Sequence, residues 1–200
     1  MPGNIEPVSP VTYEQFLDWA DEDTLAEWVD GQIIRREPES APHQELLGFL
    51  GNVLRDYTEE RDLGQVLLRG YPMKLEQSGR EPDLLFIAKA HRRRMTQRYL
   101  DGPADIAVEI ISPESEFTDR DTKFAEYEAG GVGEYWLLDQ KERRADFFGL
   151  SVERRFERIK PDAAGIFWSV ALPGFWLNVN WLWQTPLPNL RDILREWEQH

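Results

Sequence analysis

The stretch ADIAVEII, residues 104–111, constrains the fold more than any other part of this chain. It is too apolar on both alternating parities for a surface strand, which predicts a central strand covered on both faces. Ser112-Pro113 ends it, since the residue before a proline is a natural boundary. Glu109 nevertheless lies inside this strand, and Asp83 heads a second apolar strand, DLLFIA, directly after Pro82. Burying an unpaired carboxylate costs several kcal/mol or forces its protonation. Two such acids in two core strands imply a bound cation, a buried arginine or lysine partner, or exposed strand ends.

The rest of the chain supplies further strands and helices around this pair. Thr12 and Gln15 have capping-box spacing before a short helix, which the acidic run Asp21, Glu22, Asp23 should stop. Asp30-Gly31 between EWV and QIIRR predicts a two-residue hairpin. Ser40 and Pro42 open a long helix over about residues 41–61, with Leu46, Leu47, Leu50, Val53, Leu54 and Tyr57 on one face and His43 at its start. QVLLR, YPMKL and PDLLFIA read as strands, and HRRRMTQR at 91–98 as a loop or short helix. Thr118 is expected to cap a helix through Tyr127 that ends at Gly130-Gly131. EYWLLD and ADFFG continue as strands, and LRDILREW closes the chain as a helix. This pattern predicts a mixed α/β (α+β) fold, a central sheet with helices packed on it and extra C-terminal strands. The expected organisation is one domain over residues 1–200, with a core of about 12–183 and a closing helix at about 188–198.

Composition narrows the function. The net charge of −14 argues against non-specific coating of nucleic acid, though −8 of it falls in residues 1–40. An aromatic content of 12% excludes disorder. The absence of cysteine excludes disulfides, thiolate zinc sites and a cysteine nucleophile, and fits a reducing cytoplasm. The first ten residues do not resemble a signal peptide and no apolar run is long enough for a membrane span, so the expected location is cytoplasmic. There is no P-loop and no G-x-S-x-G elbow, and His43, His91 and His200 lack zinc spacing.

What remains is the acid pair and Lys123. Asp119, Lys123 and Tyr127 fall at i, i+4 and i+8, one polar stripe along the helix after the Glu109 strand. By spacing alone, Asp119 and Lys123 read as a surface pair of about 0.3–0.5 kcal/mol. Beside two metal-binding carboxylates, a lysine instead belongs to the chemistry of phosphodiester hydrolysis. The ordered series Pro82-Asp83, V-E-I-x-S-P at 108–113, D-x3-K-x3-Y at 119–127 and G-V-x-E-Y-W at 131–136 resembles the Uma-two putative restriction endonuclease family of the PD-(D/E)XK nuclease superfamily. EWVDG at 27–31, SAPHQELLGFL at 40–50 and LPGFWLNV at 172–179 extend the resemblance from about residue 12 to 183.

The resemblance implies a restriction-endonuclease-like fold and a metal-dependent endonuclease acting on DNA. Asp83 and Glu109 would bind Mg2+ or Mn2+, with the Ile110 carbonyl as a further ligand. Ile111 stands where the superfamily has its lysine, and Lys123 would replace it from the next helix. Glu27 and His43 match further family positions, Glu27 for metal or water and His43 for a phosphate. Without the resemblance, Glu27 reads as a hairpin surface charge and His43 as a core-edge residue. Tyr127, Tyr135 and Trp136 are assigned to packing. The four arginines of 91–98 are candidates for tracking a phosphate backbone beside the cleft, against the plainer reading of a solvated face. Five tryptophans (Trp168, Trp176, Trp181, Trp183 and Trp197) crowd the last 33 residues, with Leu177, Val179, Trp181 and Trp183 expected on one strand face. Core packing is the default for them, and a homodimer through this end is the alternative. Two other functions share this sequence pattern: a non-catalytic module that keeps the nuclease fold for binding or assembly, and cleavage of RNA.

Overall fold

Local sequence signals fix the first elements of the structure, a computed structural model describing residues 10–21, 24–113 and 115–199. The Thr12 side chain accepts the Gln15 N–H at 3.2 Å, and the Gln15 side chain accepts the Thr12 N–H at 2.8 Å. This capping box starts helix α1, Tyr13–Trp19, which ends before the acidic run as expected; Glu22 and Asp23 of that run lie outside the described residues. Strands β1 (Ala26–Val29) and β2 (Gln32–Arg35) form the expected hairpin. Its turn residues Asp30 and Gly31 have φ of 47° and 81°, the left-handed pair a tight hairpin turn needs. Helix α2, Ala41–Glu60, starts where Ser40 accepts the His43 N–H. Leu46, Leu50, Val53 and Leu54 are fully buried along its inner face.

Strands β3 (Gly64–Leu68), β4 (Met73–Lys74), β5 (Ser78–Arg80) and β6 (Leu84–Ala88) follow. A 3-10 helix, Lys89–Arg94, leads to β7 (Leu100–Asp101) and β8 (Ile106–Ile110). A π-helical turn, Thr118–Thr122, runs into helix α3, Lys123–Gly130, which closes on left-handed Gly131. Then come β9 (Glu134–Asp139), β10 (Arg144–Leu150), β11 (Phe156–Ile159), β12 (Ile166–Trp168) and β13 (Trp176–Asn178). A 3-10 helix, Val179–Trp183, and helix α4, Leu190–Trp197, complete the order.

The main sheet has the order β11-β10-β9-β8-β6-β3, antiparallel except for the parallel pair β8–β9. Strand β8 is internal and all five of its residues are buried, as its two-sided apolarity required. One sheet face packs Leu84, Phe86, Ile106, Val108 and Trp136 against α2 and the C-terminal aromatics. The other packs Leu85, Ile87, Ala107, Tyr135 and Leu137 around Tyr127 of α3 and Met73 of a second sheet, ordered β2-β1-β5-β4-β7. Glu109 alternates with Ala107, so it shares this second face. Buried Glu134 accepts hydrogen bonds from Trp136 Nε1 (2.7 Å), Ser169 Oγ (3.0 Å) and the N–H groups of Val170 and Ala171, which ties residues 169–171 to β9.

Two local expectations are corrected. Thr118 makes no capping bond. The chain enters the helical turn earlier, through Ser112 and Ser115, each accepting the other's N–H (3.0 and 3.2 Å). Nor do Leu177, Val179, Trp181 and Trp183 form one strand face. The strand ends at Asn178, whose side chain accepts the Asn180 N–H at 3.0 Å and turns the chain into the 3-10 helix. Trp176 and Trp181 are buried in the core, while Trp168 remains half exposed. Among the described residues no helix is long and apolar enough to cross a membrane.

Candidate active site

The β6–β8 register brings the two core acids together. Leu84 pairs with Val108, so the next step of the antiparallel ladder sets Asp83 across from Glu109. Facing residues on such strands have Cα atoms about 4.5–5.5 Å apart. Each side chain is only 1% exposed. Asp83 is fixed from both sides: its Oδ2 accepts the Ile110 N–H at 2.8 Å, and its carbonyl accepts the Arg69 N–H at 2.9 Å.

Lys123 reaches Glu109 because of the π turn. Its N–H donates to the Thr118 carbonyl, five residues back instead of four. Its Nζ lies 2.9 Å from Glu109 Oε1, 3.1 Å from Asp119 Oδ1 and 3.5 Å from Glu27 Oε1. The stripe of Asp119, Lys123 and Tyr127 therefore faces inward, and all three are buried. Tyr127 does more than pack, because its hydroxyl donates to Glu109 Oε1 at 2.9 Å. Tyr135 donates in the same way to the Asp119 carbonyl at 2.9 Å. The i+8 spacing from Asp119 was the available signal for Tyr127.

Glu27 is no surface charge on the hairpin. It is buried, with Oε2 3.0 Å from Arg80 and Oε1 3.4 Å from Arg36, and it accepts the Glu81 N–H at 3.0 Å. His43, also buried, stands between two acids: Nδ1 is 3.0 Å from Glu39 Oε2 and Nε2 is 3.1 Å from Asp83 Oδ1. Arg69 Nη2 closes the ring, 2.6 Å from Glu39 and 3.0 Å from Asp83. Arg36, Arg69, Arg80 and Glu39 carry no sequence signal, since Arg80 ends a three-residue strand and the others stand in connections without a periodic pattern.

Charge and burial set these groups against one another. Burial would raise Glu27, but Lys123, Arg36 and Arg80 outweigh it and hold its carboxyl down at about 2. Burial pushes Glu109 up, and Asp119 and Asp83 add to it against the pull of Lys123, leaving it at about 8. For Asp83 the upward push of burial is overcome by His43, Arg69 and the Ile110 N–H, so it stays ionised. Lys123 is held well above its ordinary value: burial disfavours its charge, but Glu109, Glu27 and Asp119 more than compensate.

The residues fit a divalent cation. Asp83 Oδ1 and Asp119 Oδ1 are buried and make no hydrogen bond of good geometry, only ion-pair contacts to Arg69 and His43 and to Lys123. Glu109 resists ionisation because it is buried beside Asp119 and Asp83, and hard dications take carboxylate oxygens. Carboxylate, imidazole and carboxylate atoms of Glu39, His43 and Asp83 also lie within 4.8 Å of one another. A cleft of about 180 Å3 opens beside the cluster, lined by Arg36, Glu39, Ser112, Ser115, Thr118 and Lys123 among others. No residue of the arginine-rich run 91–98 lines this cleft, and Gln97 and Arg98 line a separate pocket with Arg69 and Glu81. That run follows the far end of β6, about 17 Å from Asp83 at roughly 3.3 Å per residue. Arg94 binds the Pro103 carbonyl there, and Arg98 binds Asp18 and the Leu17 carbonyl. Arg36, Arg69 and Arg80 are the arginines at the cluster.

A family model described as Uma2, "Putative restriction endonuclease", matches residues 13–180. A solved structure of a putative nuclease belonging to DUF820 from Anabaena variabilis ATCC 29413 superposes with a TM-score of 0.73 at 17% identity. The match covers 86% of this chain and 97% of that one, and at this identity it speaks for the fold. No curated protein matches the chain.

Proposed function

The chain belongs to the Uma2 "Putative restriction endonuclease" family, and from that premise we propose that it is a divalent-metal-dependent endonuclease hydrolysing DNA phosphodiester bonds. The observation that supports the reading is that paired strands set Asp83 opposite Glu109, with Lys123 Nζ 2.9 Å from Glu109. Asp83 and Glu109, with the Ile110 carbonyl, would hold Mg2+ or Mn2+, which supplies Lewis acidity and lowers the pKa of a bound water.

The chain's own residues do the remaining work. Lys123 stays an ammonium among three carboxylates, so it serves as a fixed charge and not as a proton acceptor. Its place beside Glu109 suits it to neutralise charge developing on the phosphate or to orient the attacking water. Tyr127 and Lys123 both hold Glu109 Oε1 and so fix the carboxylate's rotation. Glu27, ionised throughout the working range, holds Lys123 and Arg80 in place. Arg36 lines the cleft beside the cluster, where a phosphate would arrive.

Supercoiled plasmid incubated with Mn2+ tests the proposal. Wild type is expected to nick and linearise it, while Asp83→Ala, Glu109→Ala and Lys123→Ala each lose about a hundredfold to a thousandfold in rate. Equal cleavage by all four proteins would overturn it, and cleavage of RNA alone would change the substrate.

Proton linkage gives a second expected result. Glu109 retains its proton below about pH 8, whereas Asp83 has lost its own far below neutrality. Binding a cation must displace that proton, so Mn2+ affinity should rise about tenfold per pH unit up to pH 8 and then level off. Anaerobic calorimetric titrations from pH 6 to 8.5 in buffers of different ionisation enthalpy will show it. A flat profile with no proton release would rule out Glu109 as a ligand.

A further inference from the structure

The imidazole of His43 is held in one orientation by its surroundings, and that orientation leaves a nitrogen unused. Nδ1 faces Glu39 Oε2 at 3.0 Å, where a carboxylate tolerates only a nitrogen that carries hydrogen. Glu39 is itself clamped by Arg69 at 2.6 Å. Nε2, the nitrogen left over, points the other way. This nitrogen lies 3.1 Å from Asp83 Oδ1, yet the two are not aligned for a hydrogen bond. Both atoms are buried and neither makes a hydrogen bond of good geometry, although Arg69 Nη2 lies 3.0 Å from Asp83 Oδ1.

The separation matches a metal's coordination edge. Neighbouring ligands on an octahedral dication with bonds of about 2.1 Å are about 3.0 Å apart. A carboxylate on the far ring nitrogen is also the usual partner of a metal-binding histidine, since it sets the tautomer and raises the basicity of the ligating nitrogen. We propose that His43 Nε2 and Asp83 Oδ1 jointly ligate a divalent first-row transition metal such as Mn2+, with Glu39 acting through His43 as a positioning residue. Arg69, which now touches both Glu39 and Asp83, then keeps its bond to Glu39 and gives up Asp83. A nitrogen ligand makes the site discriminate against Mg2+, which prefers an all-oxygen shell. This assignment rests on the metal-dependent reading above, but it gives His43 a metal and not a phosphate to hold.

Pulsed electron paramagnetic resonance of Mn2+ bound to the wild-type protein tests it without any substitution. The spin echo should carry modulation from an imidazole 14N that changes to the 15N pattern on labelling with 15N-histidine. The modulation should survive in a His91→Gln, His200→Gln double variant. In titrations, His43→Gln should weaken Mn2+ by about tenfold to a hundredfold and change Mg2+ little, whereas Glu39→Gln keeps the modulation with lower affinity. Bound Mn2+ without histidine modulation, or no Mn2+ binding at millimolar concentration, overturns the assignment. If Mn2+ lacks the modulation but plasmid is still cleaved, only this assignment falls. If the modulation is present and nothing is cleaved, the nuclease reading falls and the site stands.

Discussion

Replacing Lys123 by methionine is expected to lower cleavage about a hundredfold to a thousandfold and also to cost the protein about 3–5 kcal/mol of stability at pH 8. Its ammonium lies within 3.5 Å of Glu27, Asp119 and Glu109, and it is 2% exposed. Methionine fills similar space but leaves three buried acids without their shared cation. Arg36 and Arg80 still serve Glu27, so the burden falls on Asp119 and Glu109. For a chain of this size the loss corresponds to a fall in Tm of about 6–20 °C. Because these carboxylates can be relieved by protonation, the deficit should shrink as pH is lowered towards 5. Thermal melts followed by circular dichroism at pH 5 and 8 separate this from mere loss of packing, which would lower Tm equally at both. An unchanged Tm at pH 8 would show that Lys123 does not hold the acids together.

The sequence revealed those parts of the site that disturb an otherwise apolar pattern. Glu109 in β8 and Asp83 at the head of β6 are visible because nothing else in their strands is polar, and β8 itself is legible because both its parities are apolar. Lys123 has no such background, and without its family resemblance its spacing from Asp119 fits an ordinary surface pair. The inward turn comes from the π-helical geometry, which residue spacing does not encode. Arg80 lies on a three-residue strand, Ser78–Arg80, too short to alternate, and its partners Glu27 and Glu126 are 53 and 46 residues away in sequence. Arg69 and Glu39 are in connections. The basic run 91–98 is adjacent in sequence to both acid-bearing strands, yet it follows the end of β6 opposite Asp83 and none of it lines the cleft. Sequence proximity to a strand does not say which end of the sheet is reached.

Glu109→Gln is expected to separate stability from function. Three carboxylates surround one ammonium, and Glu109 is the one whose charge the fold tolerates least, held at about 8 by burial and by repulsion from Asp119 and Asp83. A carboxyl raised above its unfolded value of about 4.3 contributes fully below that pH and loses the contribution as pH rises through the folded value. Metal-free wild type should therefore lose stability between about pH 4.5 and 8 on account of this group. Glutamine keeps the shape and leaves an amide that Tyr127 and Lys123 can still donate to, while removing the charge that must otherwise be buried. The variant should melt at or above the wild-type temperature at pH 8 without metal, by about 2–8 °C for a gain of about 1–2 kcal/mol, with a flatter pH profile. Added Mn2+ should reverse the order, because wild type gains stability through binding and the variant loses a ligand. Cleavage should fall at least about a thousandfold, since a neutral amide cannot balance a dication or match the negative charge the site needs. A variant less stable than wild type at pH 8 without metal would mean that Glu109 is a satisfied partner of Lys123 and not an acid awaiting a cation.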